Sequence, residues 1–351
     1  MRRRTDLPHH PMRAFPCIIP LAIYFYLISS IFPYDFQAIH SVSQAYQESS
    51  PAEEASEGSR SPKQNKGYKV GITVDLVMIY VSVFDKNGHF VSGLEKEKFK
   101  LFEDGAAQET TYFSQVDLPI TLGITLDLSG SMEGKIDQVN KAARAFIEAS
   151  NPNDQIFLIG FNDQVELLKG FTSDIDEISD ALENAFVMGG TALYDAIYLG
   201  VEEAHRGDKS KKAIIVITDG EDKDSTYSLE EIISFVQESD VQIFNIGFLD
   251  EIPSRSLFGR WFKSDEEKAR DALRRISKES GGEAYFPANI TDIHGIVSEI
   301  ASELRNQYSI GYFSKNDKRD GSWRRVVVKL DTDAVEAPQI RHRLGYYAPK
   351  E

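Results

Sequence analysis

The segment Asp127-Leu128-Ser129-Gly130-Ser131 puts one carboxylate and two hydroxyls at alternate positions. It follows an apolar run at 120–126 and precedes an amphipathic stretch at 135–150. Two further segments carry oxygen ligands of the same kind: Gly189-Gly190-Thr191-Ala192-Leu193-Tyr194-Asp195 and Thr218-Asp219-Gly220-Glu221-Asp222. None of the three contains His or Cys, so a metal held there would be a hard cation, Mg²⁺ first and Mn²⁺ or Ca²⁺ as alternatives, and not Zn²⁺. With Asp127 and Asp219 acting largely through bound water, and Ser129, Ser131 and Thr191 coordinating as neutral groups, the ion stays electron-poor. It then attracts one more carboxylate, supplied by a partner. Asp and Ser in this loop could equally cap the following helix, but capping makes no use of the two distant segments. Reading the loop as exposed, we expect Asp127→Ala to abolish metal binding and leave the fold intact.

Converging these groups needs loops at one edge of a sheet. From Pro119 onward, strand-like runs at 120–126, 156–161, 213–218, 241–248 and 283–286 alternate with amphipathic helical stretches. In the first of these, Ile136, Val139, Ala143, Phe146 and Ile147 fall on one face. Such alternation predicts an α/β fold, a doubly wound and mostly parallel sheet with helices on both faces. A short run at 165–168, three residues behind the preceding strand, should pair antiparallel. Ligands in open α/β sheets sit beyond the carboxyl ends of the strands, where the strand order reverses, and the Asp127 loop occupies such an end. The last helix is expected at about 292–305.

On either side the period falls to two. Val70, Ile72 and Val74, then Val77, Ile79, Val81 and Val83, then Phe99, Leu101 and Tyr112 alternate before the α/β region, with turn signals at Asn87-Gly88 and Asp104-Gly105. Alternation returns at 308–313, 324–330 and 340–346. Neither flank holds enough strands for a good core, whereas together they approach an immunoglobulin-like sandwich. We therefore expect one β-sandwich-like domain, residues 68–117 and 306–351, split by an inserted α/β domain at 118–305.

The three motif segments resemble the metal ion-dependent adhesion site of von Willebrand factor type A domains at all five positions, and the similarity extends over about 118–305. It implies that Ser129, Ser131 and Thr191 are direct or near-direct ligands and that Asp127 and Asp219 coordinate directly or through water. The flanking segments SGLEKEKFKLFEDGAAQETTYFSQVDLPI, LRNQYSIGYF, GSWRRVVVKL and RHRLGYYAP look like those of bacterial von Willebrand factor A-related proteins. In some adhesion relatives, ligand binding at the metal is coupled to movement of the last helix, and the resemblance implies the same here.

Composition narrows the partners. Of 351 residues, 41% are hydrophobic and 27% charged, enough apolar material for a sizeable core, and the net charge of −16 repels phosphate backbones. No nucleic acid partner is expected. Arg2, Arg3, Arg4 and Arg13 precede an uncharged apolar stretch at 15–32, the profile of a secretory signal or a retained membrane anchor over 1–43. A Ser-, Glu- and Pro-rich tether at 44–67 follows, and membrane contact is expected only through the N-terminal segment. A metal-assisted hydrolase would need a positioned base, and the three segments contain no His, Lys or Cys. The leading expectation is thus not an enzyme but an extracytoplasmic, cation-dependent adhesion or assembly module; a hydrolase and a structural envelope protein with a vestigial site are the alternatives. A second contact region is expected in the long connection 249–264, where Arg255, Phe258, Arg260 and Trp261 are types enriched at binding hot spots.

Overall fold

The computed structural model describes residues 75–148, 150–249, 264–331 and 335–350. Two compact units divide the chain, Met1–Val70 and Gly71–Glu351, and all the described residues lie in the second. The N-terminal segment 1–43, the tether 44–67, the run at 70–74 and the partner-loop residues Arg255, Phe258, Arg260 and Trp261 fall outside the described residues.

Strands β1 (Leu76–Phe84), β2 (Phe99–Glu103), β3 (Ala106–Gln108) and β4 (Thr110–Ser114) come first. The α/β region follows as β5 (Ile120–Asp127), α1 (Ile136–Glu148), β6 (Gln155–Phe161), β7 (Val165–Thr172), α2 (Ile175–Glu183), α3 (Leu193–Arg206), β8 (Lys211–Thr218), α4 (Leu229–Glu238), β9 (Gln242–Gly247), α5 (Asp265–Ser280), β10 (Ala284–Tyr285) and α6 (Ile293–Asn306). The chain closes with β11 (Tyr308–Phe313), β12 (Trp323–Leu330), β13 (Gln339–Arg341) and β14 (Gly345–Tyr347).

The central sheet has the order β10-β9-β8-β5-β6-β7. All its pairings are parallel except β6 with β7, which is antiparallel. Every residue of β5 is buried, because a central parallel strand is covered by helices on both faces. One face packs residues of α1, α2 and α6 in a single apolar cluster; the other packs α3, α4 and α5. The chain leaves β5 toward β6 and returns on the other side at β8, so the order reverses beside β5. The antiparallel member runs on to Thr172, beyond the expected 168.

The flanking strands pair across the α/β region. Strand β1 pairs with β11 and β13, and β4 pairs with β11, giving the order β13-β1-β11-β4; β12 lies between β14 and β2 in the order β14-β12-β2-β3. Val77, Ile79, Val81 and Val83 share one buried cluster with Phe99, Leu101, Tyr308, Ile310, Tyr312, Val326, Val328 and Leu330. Period-two alternation in β1 and β12 supplies these side chains.

Two expectations need correction. The single strand at 340–346 is two short strands in different sheets, because the chain passes from β1 at Val83↔Ile340 to β12 at Arg324↔Tyr346. The turn at Asn87-Gly88 forms, with Gly88 N–H donating to Asp85 O at 3.0 Å. It is followed only by a single bridge, Phe84↔Phe90, and not by a hairpin strand.

Candidate functional site

Asp127 is the last residue of β5 and Thr218 the last of β8, two neighbouring strands whose carboxyl ends point the same way. The loops that follow carry Ser129 and Ser131 on one side and Asp219 on the other. Asp127 is fully buried. One of its oxygens accepts from the Ser129 N–H at 2.8 Å and the other from the Thr218 hydroxyl at 2.6 Å. Burial pushes the Asp127 carboxyl above the ordinary carboxylate range, opposed by the bonds from Ser129 and Thr218 and reinforced by the nearby Asp219 charge.

Ser129 and Ser131 lie hydroxyl to hydroxyl at 3.1 Å, and Ser131 donates to Asp219 Oδ1 at 2.7 Å. The other Asp219 oxygen is held by the Lys135 ammonium. Thr191 enters from the third segment. A Cβ placed on Gly220 would lie 3.4 Å from Thr191 Oγ1 and 4.0 Å from Asp127 Oδ2, so both oxygens border the same glycine. All five expected residues are therefore brought together, from three loops, above β5 and β8.

The third loop is fixed in place by its backbone. Met188 N–H donates to Leu128 O at 2.8 Å, and Gly130 N–H to Gly189 O at 3.3 Å. Gly189 has φ +83°, a conformation that favours glycine, and a side chain there would also run into Asp163. Asp224 accepts from the Thr191 N–H at 2.7 Å and leaves no room for a side chain at Gly190. Asp195 caps the 226–227 turn by accepting from the Thr226 and Tyr227 N–H groups at 2.9 and 3.0 Å. Asp222 accepts from Tyr194 N–H at 3.1 Å and Asp224 from Thr191, so Asp195, Asp222 and Asp224 hold the loops rather than the centre.

The donor set fits a hard divalent ion. It offers oxygens only, two of them on carboxylates, with Asp127, Ser129 and Thr191 buried. It is not a cluster of three or more His, Cys, Asp or Glu, and no such cluster exists among the described residues.

Asp127 itself is buried, whereas Gly130 and Ser131 of the loop that follows are exposed, so exposure of the loop does not make the carboxylate removable without cost. Removing the carboxylate would strand the Thr218 hydroxyl and the Ser129 N–H, so Asp127→Asn is the milder probe. Sequence reasoning also missed Lys135, four residues past Ser131 and just outside the motif, and Thr218, whose hydroxyl orients Asp127. It missed Phe186 and Met188 as well, 82% and 63% exposed on the loop that carries Thr191. Large apolar side chains at such exposure beside a polar centre are the signal in that loop.

Several known proteins are similar to this chain. An uncharacterized protein of Borreliella burgdorferi is 24% identical over 226 residues, 60% of this chain and 62% of that protein. An uncharacterized protein of Synechocystis is 31% identical over 110 residues, 30% of this chain and 26% of that protein. The chain thus spans less than two thirds of the length of either relative. Among solved structures, proximal thread matrix protein 1 from the mussel byssus, in a form with a zinc-occupied MIDAS motif, aligns with 15% identity and a TM-score of 0.45, over 57% of this chain and 49% of that one. Residues 122–221, which include the Asp127, Thr191 and Asp219 loops, match the von Willebrand factor type A domain model.

Proposed function

We propose that Asp127, Ser129, Ser131, Thr191 and Asp219 hold one divalent cation, Mg²⁺ in the first place, and that the chain is an exported, cation-dependent protein-binding module. The observation that carries this reading is the meeting of two carboxylates and three hydroxyl-bearing residues, from three loops, over the carboxyl ends of β5 and β8. When bound, the ion supplies a Lewis-acidic position for a carboxylate of a partner protein. Thr218 and the Ser129 N–H orient Asp127, while Ser129, Ser131 and Thr191 contribute neutral oxygens that leave the ion electron-poor. Phe186 and Met188 give the same edge an apolar rim, suited to a partner surface rather than to a small solute.

Two features of the chain belong to the same reading. The Arg-led apolar segment at 1–43 directs the folded part out of the cytoplasm, either as a cleaved signal or as an anchor. No helix among the described residues is long and apolar enough to cross a membrane. The two four-stranded sheets act as one sandwich into which the α/β domain, 118–305, is inserted. Supporting this, both flanks contribute strands to each sheet and to one cluster.

The test is capture of partners from the native envelope fraction on immobilised chain, in Mg²⁺ and in chelator, with Asp127→Asn in parallel. A partner retained only by the unmodified chain in Mg²⁺ is expected. Capture of the same proteins by Asp127→Asn and in chelator would defeat the proposal.

A further inference from the structure

We propose that Lys135 is an internal competitor for the divalent cation, its ammonium holding Asp219 and having to leave when a metal ion takes that carboxylate. This rests on the reading of the five residues as a metal site and adds a residue that sets how tightly the ion is held.

The Asp219 side chain is 1% exposed and that of Lys135 34%, so the pair is closed off on the carboxylate side and open to water on the lysine side. Each oxygen of Asp219 is taken: Oδ1 by the Ser131 hydroxyl at 2.7 Å, Oδ2 by Lys135. The lysine head also lies 3.5 Å from the Ser131 carbonyl oxygen, which places a positive charge directly beside the DxSxS loop. A hydroxyl can turn a lone pair toward an arriving cation, but an ammonium has only donors and carries like charge. Ser131 can therefore stay, while Lys135 must give way.

It can do so cheaply. The lysine backbone is fixed, its N–H donating to Met132 O at 2.8 Å at the entry to α1, whereas four methylenes let the head swing into water without moving the loop. Displacing a bound counter-charge costs affinity, so the site loads only where the cation is plentiful or where a partner carboxylate adds its own attraction.

Mn²⁺ is the probe, titrated by calorimetry into the full chain, Lys135→Met, Lys135→Arg, Lys141→Gln and Asp127→Asn. Acylation of individual lysines, followed by mass spectrometry in chelator and in Mn²⁺, is read in the unmodified chain. Lys135→Met should bind Mn²⁺ about tenfold more tightly or better, with Lys135→Arg and the exposed α1 control Lys141→Gln close to the unmodified chain. Lys135 should react faster in Mn²⁺ than in chelator, relative to Lys141. Equal Mn²⁺ affinity in the unmodified chain and Lys135→Met, or an unchanged Lys135 reactivity, overturns the competitor while leaving the metal site standing. Should Lys135→Met fail to fold, the reactivity measurement decides alone. Absence of Mn²⁺ binding in all forms, or binding unaffected by Asp127→Asn, overturns the metal site and this inference with it.

Discussion

The Ser82 hydroxyl of β1 donates to Glu303 of α6 at 2.6 Å, across 221 residues of sequence and in a buried setting. Arg341 of β13 donates to the other Glu303 oxygen at 2.6 Å and to Glu283 at 2.6 Å, and Gln307 donates to Ser82 at 3.0 Å. The last helix of the α/β region is thus tied to both flanks through one carboxylate. Removing that carboxylate leaves the Ser82 hydroxyl and one arm of Arg341 without their acceptor, while Glu283 still pairs the guanidinium, so Glu303→Ala should cost about 1 to 3 kcal/mol. Urea denaturation measures this; a loss below about 1 kcal/mol would mean that water enters and satisfies Arg341.

A second tie at this joint responds to pH. Lys211, at the start of β8, is buried and donates to the Leu304 carbonyl near the end of α6. Burial, helped by the Arg305 charge and opposed by Glu303, Asp117 and Asp154, pulls the lysine down to about 7. The unfolded chain keeps the ordinary value of 10.5, so between these limits it binds more protons than the folded chain. Stability from this group therefore rises with pH from about 7 toward 10, by at most about 1.4 kcal/mol per pH unit. Lys211→Met should flatten that slope in denaturation series at pH 7, 8 and 9; an unchanged slope would assign it to other groups.

The metal edge gives a stability test of its own. Asp127→Asn keeps an acceptor for Thr218 and should change stability by less than Asp127→Ala, which leaves a buried hydroxyl and N–H unpaired at a cost of about 1 to 3 kcal/mol. Addition of Mg²⁺ should raise the melting temperature of the unmodified chain, because an ion that binds only the folded state stabilises it. In Asp127→Asn the rise should vanish, as read by differential scanning fluorimetry in Mg²⁺ and in chelator.

What the sequence made legible follows from what was local. Period and length identify β5 to β9 and their helices. Asp127, Ser129, Thr191 and Asp219 stand out because each lies within two residues of a strand end or helix start, and Ser131 because it sits in the loop between β5 and α1, where an α/β sheet exposes its loops. Lys135 was hidden because a lysine at a helix entry looks like a solvated charge, and only its proximity to Asp219, 84 residues away, gives it a role. Ser82, Glu303 and Gln307 were hidden for the same reason, being polar side chains that face one another only once β1 lies beside β11. The split of 339–347 was illegible because alternation continues through a strand that changes sheets.

Pairing across the chain also predicts how the pieces fold. In the first flank β1 finds its strand partners at β11 and β13, and β2 pairs with β12 as well as β3. All but β3 lie beyond residue 306, so a 68–115 fragment would carry β1 with both edges unpaired and half of its apolar cluster missing. It should show no cooperative unfolding. The 118–305 fragment keeps the whole central sheet and both helical layers, and loses only the joint. It would uncover Lys211 and Glu303, which cost energy when buried and little when solvated. This fragment should therefore melt cooperatively and, if the five-residue site is as proposed, bind Mn²⁺ within a few-fold of the full chain. A cooperative transition in the 68–115 fragment would show that the first flank folds without the second, and an unfolded 118–305 fragment would show that the α/β region depends on the flanks.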